Sequence, residues 1–165
     1  MNSVILYTGE KGVGKSTYLQ ELFLLKPNVC GILQPRIKGI KFLVDIESAE
    51  KRRLELDSNS PMENVITIGD YLFSRDTFLW GAQKLTEAIM RANGLLIIDE
   101  LGPLELSGAG LEPLLSEIIT KSIVQKKNLL LVVRPTLIQQ VIAIYGLPSP
   151  LIVWYGEKIP VESAC

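Results

Sequence analysis

The sequence predicts an α/β fold in which a mostly parallel sheet carries helices on both faces, with a small β excursion after the second strand. Three observations predict it. Apolar, strand-sized runs alternate with amphipathic helical patterns, as right-handed crossovers between parallel strands require. The run VILYT from Val4 leads directly into GEKGVGKST, Gly9 to Thr17, which fits G-x-x-x-x-G-K-[ST] at every fixed position. The apolar run Leu95–Ile98 ends on Asp99 and Glu100, the profile of a strand buried on both faces that reaches a polar rim.

Each element follows from local pattern. After the glycine-rich segment, Thr17 to Leu25 places Tyr18, Leu19, Leu22 and Phe23 at helical spacing, and Lys26–Pro27 stops that helix. Val29–Leu33 reads as a second strand ending at Gln34–Pro35, and Ile40–Ile46 as another, with an extended piece around Arg53–Leu56 able to pair with it. The stretch from Pro35 to Asn64 is the less regular excursion and the place expected to set substrate preference. Val65–Ile68 reads as a short strand or strap, and Gly69–Phe73 leads into a helix over about Arg75–Arg91 with Phe78, Ala82, Leu85 and Ile89 on one face. Asn93–Gly94 stops it. LGPLEL then reads as a loop bent at Gly102–Pro103. Leu111, Leu114, Leu115, Ile118 and Ile119 define the next helix, Leu129–Val133 the next strand, and Pro135 opens a helix through Tyr145. Leu151–Trp154 closes the series. Trp80 and Trp154 both read as packing residues.

Length and composition bound the possibilities. A chain of 165 residues predicts one domain, residues 1–165, large enough to bury a core around a central sheet. The net charge is −1 and no stretch is strongly basic, which gives no support for a nucleic-acid or anionic-membrane surface; Lys51, Arg52 and Arg53 read as a solvated face. The longest apolar runs are strand-sized, so no membrane span is expected, and with no secretory pattern near the N-terminus a cytoplasmic protein is. Cys30 and Cys165 make no metal-ligand spacing; Cys30 reads as a small core hydrophobe and Cys165 as a loose end. There is no histidine, so acid–base chemistry falls to carboxylates, lysines or water.

The motifs specify that chemistry. Gly9, Glu10, Lys11, Gly12, Val13, Gly14, Lys15, Ser16 and Thr17 are expected to wrap the phosphates of a nucleoside triphosphate with backbone N–H groups at a helix N-terminus. Lys15 would sit on the β- and γ-phosphates, and the Ser16 hydroxyl on Mg²⁺. Asp99, at the carboxyl end of a neighbouring strand, would anchor the metal, and Glu100 would orient or deprotonate an attacking water. Arg134, ending the Leu129–Val133 strand, is the first candidate for an extra cation near the γ-phosphate, or else a surface salt-bridge partner. For Arg36 and Arg75 salt bridges are the stronger reading. Two further functions share the same loop. A nucleotide or small-molecule kinase would pass the phosphoryl group to an acceptor, but the second half of the chain carries no Arg-rich lid. A nucleotide-dependent switch or assembly module would use LGPLELSGAGLEP as its moving segment, with a protein partner of unspecified kind.

Within LLIIDELGPLEL, the segment from Asp99 to Leu106 carries D-E-L-G-P-L-E-L. It resembles the THEP1-like nucleoside-triphosphatases, phosphate-loop proteins in which D-E-[IL]-G-x-[ML]-E-L follows the loop. GILQPR at Gly31–Arg36 is similar to that family's Gly-aromatic-x-Thr-Pro-like strand, with Ile32 where the aromatic residue usually stands. The resemblance covers essentially the whole chain. It implies a RecA-like fold and slow hydrolysis of several nucleoside triphosphates to diphosphate and phosphate, with Lys15, Ser16, Asp99 and Glu100 at the matching positions.

Overall fold

Strand β1 (Val4–Thr8) is buried along its whole length, and its side chains divide the molecule into two cores. Val4 and Leu6 face one apolar cluster, Ile5 and Tyr7 the other, as the two-residue period of a strand demands. The computed structural model describes residues 3–61, 63–91 and 94–161. The features expected at Asn93 and Cys165 lie outside these residues.

Along the chain, β1 is followed by α1 (Lys15–Phe23), β2 (Val29–Leu33), β3 (Arg36–Ile37), β4 (Ile40–Asp45), β5 (Lys51–Arg53), β6 (Glu55–Leu56), β7 (Val65–Ile68), β8 (Tyr71–Ser74) and α2 (Arg75–Arg91). Then come β9 (Leu95–Leu101), α3 (Pro103–Leu106), α4 (Leu114–Val124), β10 (Asn128–Val133), a 3₁₀ turn at Pro135–Leu137, α5 (Ile138–Tyr145) and β11 (Leu151–Trp154). The main sheet runs β11-β1-β10-β9-β2-β4-β3, with β5 paired on β4. From β11 to β2 every pairing is parallel. Helix α1 buries Leu19 and Phe23 against one face, and α2, α4 and α5 bury Leu85, Leu115 and Val141 against the other. The parallel sheet with helices on both faces is the expected architecture.

The excursion differs in detail from its sequence reading. Lys38 and Gly39 both take positive φ, the two-residue turn that folds β3 back on β4, and β4 pairs antiparallel with β2. The hairpin therefore widens the main sheet. Residues 71–74, read as a lead-in to the helix, form strand β8, which joins β6 and β7 in a second antiparallel sheet. Gly69–Asp70 is its two-residue turn, a hairpin signal that the adjoining helix pattern masks. LGPLEL is not a loop throughout: Pro103 at the first helical position opens the single turn α3. Trp80 packs as expected, with the Arg52 guanidinium 4.7 Å from its ring centre. Trp154 does not; β11 is an edge strand, and the side chain turned inward there is Val153.

Gly31 lies mid-strand with φ +122°, and a Cβ there would stand 1.9 Å from the carbonyl oxygen of Ile97 on β9. The β2–β9 contact therefore excludes any side chain. Gly31→Ala is expected to destabilise the fold by about 3 kcal/mol or more, because both strain and a parted sheet follow. Urea unfolding of the variant beside the unmodified protein checks this.

Candidate active site

Parallel strands end on one edge of the sheet, which brings Thr8, Asp99 and Val133 to the same rim. The Thr8 hydroxyl donates to the Val133 carbonyl at 2.7 Å, tying the ends of β1 and β10 together beneath the rim. From Thr8 the chain turns through Gly9–Gly14, with Gly12 at φ +80° and Gly14 at φ +101°, and enters α1 at Lys15. Positive φ at both glycines gives the loop the curvature that a phosphate cradle needs. Lys15 bends back over this loop, and its Nζ donates to the carbonyls of Gly9 and Glu10, both at 2.7 Å. Burial lowers its pKa, against the pull of Asp99 and Glu100, so an incoming anion would meet a partly desolvated cation.

Asp99 is 1% exposed. Its Oδ2 accepts the Gln34 N–H at 2.8 Å, and its carbonyl accepts the Gln34 side-chain amide at 3.0 Å. Burial pushes its pKa up to about 6, the Ser16 hydroxyl pulls it down, and Glu100 adds to the rise. A buried carboxyl beside a hydroxyl, without full counter-charge, suits a hard divalent cation such as Mg²⁺. Among the described residues no group of three or more His, Cys, Asp or Glu side chains could hold a metal unaided. A cation at Ser16 and Asp99 would therefore draw further oxygens from phosphate and water, the usual habit of Mg²⁺.

Strand β9 does not end at Ile98. It continues to Leu101 through an irregularity in its pairing with β10, where the register shifts between Leu131 and Val133. Glu100 sits at that irregularity with φ +63°, a left-handed conformation that costs a non-glycine residue about 1–2 kcal/mol. The bend lifts its side chain to the rim, where Lys41 forms a short ion pair with it and Arg134 Nη2 lies 3.6 Å from its Oε1.

Of the other predicted residues, Arg36 pairs with Glu55 at 2.7 Å and Arg75 donates to the Val65 carbonyl, both engaged outside this cluster. Sequence reasoning missed Gln34, Lys41 and Glu105. Lys41 arrives through the β3–β4 turn at Lys38–Gly39, the one local signal that could have placed it. Glu105 is buried, and its Oε2 accepts the Gly102 N–H at 3.1 Å, closing the turn that follows the strained Glu100.

Burial pushes the Glu105 pKa from its ordinary 4.5 up to about 7, against the lowering effect of the Gly102 N–H. Between those values the folded state holds a proton that the unfolded chain has lost, so stability falls as pH rises through this window. At ~1.4 kcal/mol per unit the fall is of order 3 kcal/mol. Glu105→Gln keeps an acceptor for Gly102 and should flatten it, as urea midpoints near pH 5 and near pH 8 would reveal.

A family model described as an NTPase matches residues 4–145. The chain belongs to the THEP1-like nucleoside-triphosphatases. It is accordingly an enzyme that hydrolyses nucleoside triphosphates. The nucleoside-triphosphatase THEP1 of Sulfolobus acidocaldarius is 30% identical over 129 residues, which cover 72% of this chain and 71% of that protein. Among solved structures, THEP1 from the hyperthermophile Aquifex aeolicus is similar with a TM-score of 0.67 and 19% identity, covering 91% of this chain and 88% of its own. A human cancer-related nucleoside triphosphatase is similar with a TM-score of 0.62 and 17% identity, covering 91% and 87%. These two likenesses establish the fold, the mostly parallel sheet with helices of a P-loop NTPase. In this family member Ile32, standing where an aromatic residue is usual, is fully buried beneath α2, so its side chain has no access to a ligand. No helix among the described residues is long and apolar enough to cross a membrane.

Proposed function

We propose that the protein hydrolyses ATP, GTP and further nucleoside triphosphates to diphosphate and phosphate in a Mg²⁺-dependent reaction. The observation that carries this reading is the convergence of Lys15, Ser16, Asp99 and Glu100 on one rim, with Lys41 and Arg134 closing around Glu100. Backbone N–H groups of Gly9–Thr17 hold the phosphates, and Lys15 exchanges the Gly9 and Glu10 carbonyls for β- and γ-phosphate oxygens. Ser16 and Asp99 hold Mg²⁺. When bound, that ion offsets charge on the phosphate oxygens during displacement. Glu100 orients a water in line with the γ-phosphorus and takes its proton. Lys41 and Arg134 neutralise Glu100. An arriving γ-phosphate competes for both cations, which frees the carboxylate and leaves positive charge where the transition state needs it.

A working unit of a single domain in the cytoplasm fits this reading. Phosphate release from ATP, GTP, CTP and UTP, with and without Mg²⁺, tests it. Release that needs Mg²⁺ is the expected result, and a demand for an added acceptor would favour a kinase instead. Lys41→Met should lower kcat about tenfold to a hundredfold with a smaller change in KM, since its cation acts chiefly in the transition state. Steady-state kinetics on Mg·ATP would measure the split.

A further inference from the structure

We propose that the ring of Tyr155 is the surface on which the nucleobase stacks. The inference rests on the hydrolase reading above for the direction in which the nucleotide lies. In the sheet order β11-β1-β10-β9, the strand carrying Asp99 and Glu100 lies two places to one side of β1. The γ-phosphate must lie toward those carboxylates, so the ribose and base leave the loop on the opposite side. There β1 has one neighbour, β11, and the residue that leaves its carboxyl end is Tyr155.

Tyr155 is built against the phosphate loop. Its N–H donates to the Thr8 carbonyl at 2.7 Å, fixing it beside the last residue before the loop. A Cβ on Gly9 would stand 2.9 Å from the Tyr155 Cβ, and one on Gly14 would stand 3.5 Å from its hydroxyl, so the side chain spans both ends of the loop. Tyr18 meets it edge-on, with ring centres 6.2 Å apart at 81°, and Tyr18 in turn stacks on the buried Tyr7 at 6.4 Å. Three rings thus form a rigid column rising from the core to the loop. Its outermost member remains 43% exposed, although covering an aromatic ring is normally favourable. A flat, preorganised and solvent-open ring at the place where the base must emerge has the features of a stacking platform. Stacking reads the π-face that every base possesses and so tolerates different bases, with the larger purines gaining more. Trp154 is also exposed, but it alternates with the inward Val153 and so lies on the face of β11 away from α1 and Tyr18.

Calorimetric titration with ADP and with inorganic tripolyphosphate, both with Mg²⁺, separates stacking from mere support of the loop. Tyr155→Leu should weaken ADP binding about fivefold to a hundredfold and leave tripolyphosphate binding within about twofold. Tyr155→Phe keeps the ring and should retain ADP affinity, as should Trp154→Ala. The proposal is overturned if Tyr155→Leu leaves ADP affinity unchanged, or if it weakens both ligands equally, which a structural role would do. It is also overturned if the loss appears with Trp154→Ala instead. Unmodified protein that binds ADP but releases no phosphate from Mg·ATP would sink the hydrolase reading while leaving the stacking result standing; binding of neither ligand would sink both.

Discussion

Glu100→Gln is expected to lower single-turnover phosphate release by about 10²–10⁴-fold while ADP affinity stays within about threefold. The substitution keeps the side chain's length and its place on the rim but removes the only carboxylate that the described residues place there to take a proton from water. Asp99 cannot substitute, because it is buried and held by the Gln34 N–H. Melting should fall only modestly, since the glutamine amide oxygen can still accept from the largely buried Lys41 and from Arg134. Glu100→Gly provides the complement. It should lose activity to a similar degree yet gain about 1 kcal/mol of stability, because glycine adopts the left-handed conformation without strain. A protein that becomes more stable as it becomes inactive is one whose backbone is bent there for chemistry.

Lys15→Ala should be as damaging to turnover, at about 10²-fold or more, and should weaken nucleotide binding as well. Its effect on stability should be small. The Lys15 ammonium is partly desolvated and donates to the Gly9 and Glu10 carbonyls, so its removal costs two hydrogen bonds but also relieves the desolvation of the charge. The melting temperature should stay within about 2 °C of the unmodified protein, while the rise on adding Mg·ADP should be lost. Thermal denaturation with and without nucleotide checks both halves. A variant that melted much earlier would mean that Lys15 serves the fold and that the loss of turnover says little about phosphate binding.

Much of this arrangement is legible in the sequence because local pattern dictates it. The phosphate loop is a run of consecutive residues whose glycines set its curvature. β2, β7, α2 and β11 lie where their apolar periods place them. What is not legible depends on distant pairing or on exceptions to pattern. Lys41 meets Glu100 across 59 residues through a short turn, and no period in the intervening chain announces it. The strained φ of Glu100 arises because β9 runs past Ile98 to Leu101 against β10, which local pattern does not disclose. The strand β8 is hidden by the helix that begins at the very next residue, Arg75, and α3 is a single turn, too short for a 3.6-residue period to register. Trp154 was misread because an apolar run is the same in an edge strand as in a central one; only the sheet order tells them apart.

The most direct measurement of the central claim, attack by water on the γ-phosphorus, is to run the reaction with Mg·ATP in ¹⁸O-labelled water and analyse both products by mass spectrometry. Solvent label in the released phosphate and none in the ADP is the result predicted, with both products disappearing together in Glu100→Gln. Phosphate that carries no solvent label, or a γ-phosphoryl group recovered on an added acceptor, would contradict the account.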